Sequence, residues 1–147
     1  AAALENVLLV PRVPLDQLPA WLSAADVLVV YCAGSMRIAG TSSPLKMFEY
    51  MAAGRPIVSV ALPGVAEILH HDETALLVDC DDNQGFARAV KQVLADPSLA
   101  QRLAENARRE VARYTWEARA SRLLEAMRAR LLQTQAGQVA RRGGEDG

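Results

Sequence analysis

Residues 42–60, Ser-Ser-Pro-Leu-Lys-Met-Phe-Glu-Tyr-Met-Ala-Ala-Gly-Arg-Pro-Ile-Val-Ser-Val, constrain the fold more than any other stretch. They read as a loop, a short helix, a tight stop and a buried strand with no spare residue between them. Ser43 can act as N-cap, and Pro44 can take the first helical position, where its missing N–H costs nothing. Leu45 and Lys46 then offer free backbone amides. Leu45, Phe48 and Ala52 recur at helical spacing and predict the core-facing side, while Lys46, Glu49 and Tyr50 lie toward another. Gly54 supplies the left-handed residue that ends the helix, Arg55-Pro56 closes the turn, and residues 57–60 form the β-branched run of a strand covered on both faces. A helix that stops and feeds directly into such a strand points to α/β layers, with the helix lying against the sheet.

The chemistry sits at the start of that helix. Free N–H groups beside a lysine make an anion site, to which the helix dipole adds roughly 0.3–1 kcal/mol. Phosphate is the expected guest. Glu49, one turn inward, disfavours the same anion but suits paired hydroxyls such as those of a ribose. Together they fit a nucleoside diphosphate. The plainer reading makes Lys46 and Glu49 a surface ion pair at i, i+3, in a helix with ordinary start and stop signals.

Upstream, residues 7–10 form an apolar run read as a strand, followed by a loop through Arg12 and Val13. Residues 16–25 predict a helix with Leu18, Trp21 and Leu22 inward, and residues 27–31 another buried strand. Strand, helix, strand begins a parallel arrangement. Residues 32–41 hold two glycines without a period and read as a loop. That loop leaves the carboxyl end of a strand, where open α/β sheets bind ligands, and Arg37 within it can reach a phosphate or a sugar.

Downstream, residues 65–70 predict a short helix and residues 75–78 the last strand. His70-His71-Asp72-Glu73 reads as a polar loop, since adjacent side chains diverge and no spaced His-x-x-x-His frames a metal. Three helices follow: one with Phe86, Val90, Val93 and Leu94 inward, one started by Asp96-Pro97 with Leu99, Leu103, Ala107 and Val111 inward, and one capped by Thr115. The last carries a stripe of Trp116, Ala120, Leu123, Leu124, Met127 and Leu131, expected to pack for the most part on the sheet. If part of it is uncovered, it offers a surface for self-association. From Gln133 the period is lost, which predicts a flexible tail over residues 133–147 after one domain over residues 1–132.

Composition narrows the classes. With 147 residues, 51% of them hydrophobic, the chain can bury a core, and a net charge of −1 gives no basic field for nucleic acid. The apolar runs fall short of the ~20 residues that span a bilayer, no export leader is visible, and Cys32 and Cys80 are too few for a disulfide framework. A cytoplasmic protein is expected. Neither a Gly-x-Gly-x-x-Gly nor a Gly-x-x-x-x-Gly-Lys loop occurs.

Ser-Pro-Leu-Lys-x-Phe-Glu-Tyr-Met-Ala-Ala-Gly-x-Pro-Ile-Val resembles the signature of the family 4 retaining glycosyltransferases, the glycosyl transferases group 1. The resemblance continues through residues 15–30, 64–68, 73–78 and 114–117, covering about residues 4–130. It implies the GT-B architecture of two Rossmann-like domains facing a cleft, of which this chain is part of the C-terminal, donor-binding one. Upstream strands, a basic residue near the diphosphate, and the acceptor domain are then missing. The resemblance places the diphosphate at Ser43, Leu45 and Lys46, the ribose at Glu49, the donor sugar near Thr41 and Ser42, and the nucleobase near Arg12 and Val13. The family signature has two glutamates separated by seven residues, and the first falls here on Thr41, which carries no charge. The implied reaction moves a sugar from a nucleoside diphosphate to a carbohydrate or lipid-linked acceptor, with retention, as in polysaccharide biosynthesis. No metal or other cofactor is implied, the missing domain can bring the enzyme to the inner membrane, and the isolated chain is expected to be inactive. The alternatives are a fragment of a GT-B-like sugar-nucleotide epimerase and a nonenzymatic α/β interaction module.

Overall fold

In the computed structural model, the residues described are 5–31 and 45–142, with side chains as far as residue 131. Three parallel strands form one sheet in the order β1-β2-β3: β1 (Leu28–Val30), β2 (Ile57–Val60) and β3 (Leu76–Val78). Leu28 pairs with Ile57 and Val58 with Leu76, so β2 is the central strand. All four of its residues are buried, as a β-branched run with no polar face requires. Burying each Val or Ile side chain contributes about 1.5–3 kcal/mol. This is the α/β, parallel-sheet class expected from the sequence.

The helices are α1 (Leu18–Ala24), α2 (Lys46–Ala53), α3 (Pro63–Ala66), α4 (Asn83–Ala95), α5 (Pro97–Glu110) and α6 (Trp116–Arg142), with a 3-10 turn at Val111–Tyr114 before α6. Val58 and Leu76 of the sheet, Ala89 and Val93 of α4, and Leu99 and Leu103 of α5 make one core cluster. The caps expected for α5 and α6 are present. Asp96 Oδ1 accepts from the amides of Ser98 and Leu99, both at 3.0 Å, and Thr115 Oγ1 accepts from Ala118 N–H at 3.2 Å.

Several expected elements and faces differ. Residues 7–10 form no strand, and Leu8 and Leu9 are 82% and 89% exposed. An apolar run becomes a strand only where another edge accepts its ladder, and the described sheet ends at β1 on one side and β3 on the other. In α2 the buried residues are Met47 and Met51, while Leu45 and Ala52 are exposed and Phe48 is half-buried. Leu45 precedes the helix, so the i, i+4 methionine pair, and not a face begun at Leu45, turns inward. Trp21 of α1 points outward, 49% exposed, and Leu94 of α4 yields its core place to Ala89.

The chain divides into two compact units, residues 1–109 and 110–147. The first holds the sheet and its packed helices. The second holds α6, which remains helical as far as Arg142, beyond the point where the apolar period ends. The α6 stripe is not core: Trp116, Leu123, Leu124, Met127 and Leu131 are all exposed. Among the described residues no helix is long and apolar enough to cross a membrane.

Candidate functional site

The first turn of α2 opens at Leu45, which already has helical angles (φ −52°, ψ −32°) and whose carbonyl accepts from Phe48 N–H at 3.1 Å. No side chain caps the helix among the described residues. By helix geometry, the amides of Lys46 and Met47 that follow have no acceptor within the helix. The Lys46 side chain is exposed beside them. Thr41, Ser42, Ser43 and Arg37, among them the expected cap and the positions expected near the sugar, lie outside the described residues.

Glu49 is exposed in the same turn, and among the described residues no ion pair joins it to Lys46. The plain surface pair is therefore not formed. Instead the Glu49 carboxylate borders a recess of about 310 Å³ between α1 and α2, walled by Leu15, Leu18, Pro19 and Leu22 on one side and Ala52 and Ala53 on the other. It is the one ionisable group in that lining. An exposed acid on the lining of an apolar recess sets hydrogen-bond acceptors beside an apolar surface. That combination suits a ring system carrying hydroxyls. Arg12 and Val13 stand just before the recess, Arg12 exposed and Val13 half-buried, and neither lines it.

Tyr50 is half-buried next to Glu49. Burial, and after it the Glu49 charge, raise its hydroxyl above the ordinary tyrosine value. At the carboxyl end of β1, Tyr31 donates its hydroxyl to Asn83 Oδ1 at 2.7 Å and meets Phe86 edge-on, with ring centroids 5.4 Å apart. These contacts tie the last residue before the 32–44 segment to α4.

The recess walls and the Tyr31 anchor are the parts that sequence reasoning missed. The Leu18/Leu22 pair at i, i+4 was legible, but it reads equally as core. Only the exposure of Leu15 and the position of Glu49 reveal a recess. A larger cleft, about 390 Å³, is lined by Asp26, Arg55, Gln101 and Arg108. It lies at the amino ends of β1 and β2, away from the carboxyl ends where open sheets bind ligands.

Residues 70–73 form a turn. Asp72 takes φ +59° and its Oδ1 pairs with Arg102 Nη2 at 2.8 Å, while His71 Nδ1 accepts from Leu77 N–H at 3.0 Å. Among the described residues no group of three or more His, Cys, Asp or Glu could hold a metal ion.

Residues 1–96 match the family described as Glycosyl transferases group 1. The chain belongs to that family. It is 34% identical over 119 residues to a D-inositol 3-phosphate glycosyltransferase of Corynebacterium urealyticum, a match covering 81% of this chain and 26% of that protein. Sucrose-phosphate synthase from Thermosynechococcus elongatus superposes with a TM-score of 0.67 at 31% identity, over 84% of this chain and 30% of that one. Anabaena HepE, in complex with UDP-glucose, shares the fold at 18% identity, with a TM-score of 0.57 over 65% of this chain and 25% of that one. The chain thus spans about a quarter of the length of the relatives it matches. Membership of the glycosyl transferases, together with the parallel sheet, accounts for the signature at α2 without the epimerase or interaction-module alternatives.

Proposed function

We propose that the first unit is the donor-holding part of a transferase that moves a sugar from a nucleoside diphosphate to a carbohydrate or lipid-linked acceptor, with retention at the anomeric carbon. The observation that carries this reading is the Glu49 carboxylate at the mouth of the α1–α2 recess, three residues along α2 from Lys46. The diphosphate lies at the start of α2, where the amides, the helix dipole and Lys46 offset its charge without a metal. The ribose hydroxyls donate to Glu49. The base enters the recess against Leu15, Leu18 and Leu22. Thr41 and Ser42 face the sugar. Acceptor binding and the transfer itself need a second domain across the cleft, so this chain alone turns over no substrate.

Titration of the chain with UDP, GDP and ADP, followed by backbone amide shifts, tests the reading. The expected result is saturable shifts at Lys46, Met47, Glu49 and Leu18, larger for one base. Hydrogen bonds to a charged group contribute about 1.5–3 kcal/mol, so Glu49→Ala weakens binding roughly tenfold or more. Lys46→Ala, which removes an exposed charge worth about 1 kcal/mol, weakens it roughly fivefold. Shifts confined to residues away from α1 and α2, or affinities unmoved by either substitution, refute it. Robust sugar transfer by this chain alone refutes the need for a second domain.

A further inference from the structure

Arg55 stands between Gly54 and Pro56, and its side chain reaches the α1 side of the recess. Its Nε donates to the Ser23 carbonyl at 2.8 Å, and its Nη2 donates to the same oxygen. Ser23 lies in the last turn of α1, where a carbonyl has no partner inside the helix. α1 needs such a partner. It has seven residues, none of them buried, no side-chain N-cap and no basic residue in its last turn, so little within the helix holds it in place.

The base of the clasp is rigid. Gly54 is fixed in the left-handed conformation, Pro56 is buried, and the Pro56 carbonyl accepts from Leu28 N–H at 2.9 Å, which ties the Arg55 backbone to the start of β1. Leu18, Pro19, Leu22 and Ser23 form the α1 wall of the recess, and Glu49, Ala52 and Ala53 form the α2 wall. Arg55 follows the α2 wall in the chain and grips the end of the α1 wall. Although Arg55 also borders the cleft at the amino ends of the strands, it makes no ion pair there with Asp26 among the described residues. The Ser23 carbonyl is its bonded partner.

We infer that Arg55 is a positioning residue: by clasping the Ser23 carbonyl it sets the width of the α1–α2 recess and so the grip on the nucleoside part of the donor. The inference rests on the nucleotide reading above. The diphosphate, held at the other end of α2, lies outside the influence of the clasp, and this separates the two effects.

The test is a binding comparison among wild type, Arg55→Met and Arg55→Lys. The ligands are inorganic pyrophosphate and whichever of UDP, GDP and ADP the wild type binds best. Arg55→Met is expected to weaken nucleotide binding about five- to tenfold and to leave pyrophosphate within about twofold, with amide shifts along α1. Arg55→Lys, keeping one donor, recovers part of the loss. A general loss of stability would lower both ligands together. Equal losses for nucleotide and pyrophosphate, or an unchanged nucleotide affinity in Arg55→Met, overturn the inference and leave the donor reading standing. If Arg55→Met does not fold, Arg55→Lys decides by the same ratio of the two affinities. A folded wild type that binds none of the three nucleotides overturns the donor reading, and the clasp with it.

Discussion

Replacing Gly54 with alanine tests how α2 is held. Gly54 ends the helix at φ +66°, ψ +38°, and its amide bonds the Met51 carbonyl at 3.4 Å. For a residue with a Cβ, the left-handed region costs about 1–2 kcal/mol, offset in part by the lower entropy of an unfolded chain that has lost a glycine. Sterics add little. A Cβ built at Gly54 would meet Arg108 Cδ at 3.4 Å, an ordinary contact with a flexible side chain. Gly54→Ala is therefore expected to cost about 1 kcal/mol, with Gly54→Asn costing roughly half as much because asparagine tolerates this conformation better.

The assay is urea unfolding of the first unit. Trp21 lies in that unit and Trp116 in the other, and they are the only 2 tryptophans, so a Trp116→Phe background lets Trp21 report alone. A lower midpoint at unchanged slope isolates the stability change. If Gly54→Asn costs more than Gly54→Ala, or if adding Arg108→Ala abolishes the cost, packing against Arg108 and not backbone strain is responsible, and the reasoning fails. A cost under ~0.3 kcal/mol, when left-handed backbone should cost at least ~1, refutes it outright.

Four further substitutions or titrations follow from the packing. Met51 is fully buried and Leu45 is 77% exposed, so Met51→Ala should cost about 2–4 kcal/mol and Leu45→Ala under ~0.5, read from the same urea midpoints. Asp96 accepts from two amides at the start of α5, so Asp96→Ala should cost about 1–2 kcal/mol and Asp96→Asn, which keeps an oxygen there, much less, checked by thermal unfolding. His71→Ala leaves the Leu77 amide without its acceptor and should speed its hydrogen exchange by about fivefold, for a bond worth roughly 1 kcal/mol; His71→Asn, which can place an oxygen near Nδ1, should restore protection. Tyr50 keeps its proton to higher pH in the native state than in the unfolded chain. Its contribution to stability is therefore full below the ordinary tyrosine value of 10.0 and is lost as pH rises beyond it. Absorbance titration should show the Tyr50 phenol, identified by its loss in Tyr50→Phe, ionising late and moving earlier in Glu49→Gln.

The sheet was legible because its strands are short apolar runs flanked by turn residues, and the central one, buried along its whole length, leaves no alternation to misread. Residues 57–60 illustrate this. Residues 7–10 are as apolar a run and form no strand, since a pattern of side chains says nothing about whether a neighbouring edge exists. The helix starts at Asp96 and Thr115 were legible for a local reason: the capping side chain and the amides it accepts from lie within three residues. Core faces were less so. In α2 two candidate stripes, through Leu45 and through Met47, lie on different sides of the helix, and with apolar residues on both sides eight residues do not decide between them. The choice was made by tertiary packing, whereas the α6 stripe stays exposed. At the site, Lys46 and Glu49 could be singled out from capping and charge alone. The recess could not, because it is a gap between two helices that meet only in the folded chain.

Across that gap the two ends of the site can be judged by different measurements. Met47 and Met51 anchor the helix and can be judged by stability, while Lys46 and Glu49 face outward and can be judged by binding. Substitutions in these two sets should therefore act independently. Arg55 breaks the separation, since its bonds reach from the end of one helix to the end of the other. A change there alters the distance between two walls without touching either the ligand or the core. If binding at this site depends on the width of an apolar recess, a residue outside it can modulate affinity more strongly than several that line it.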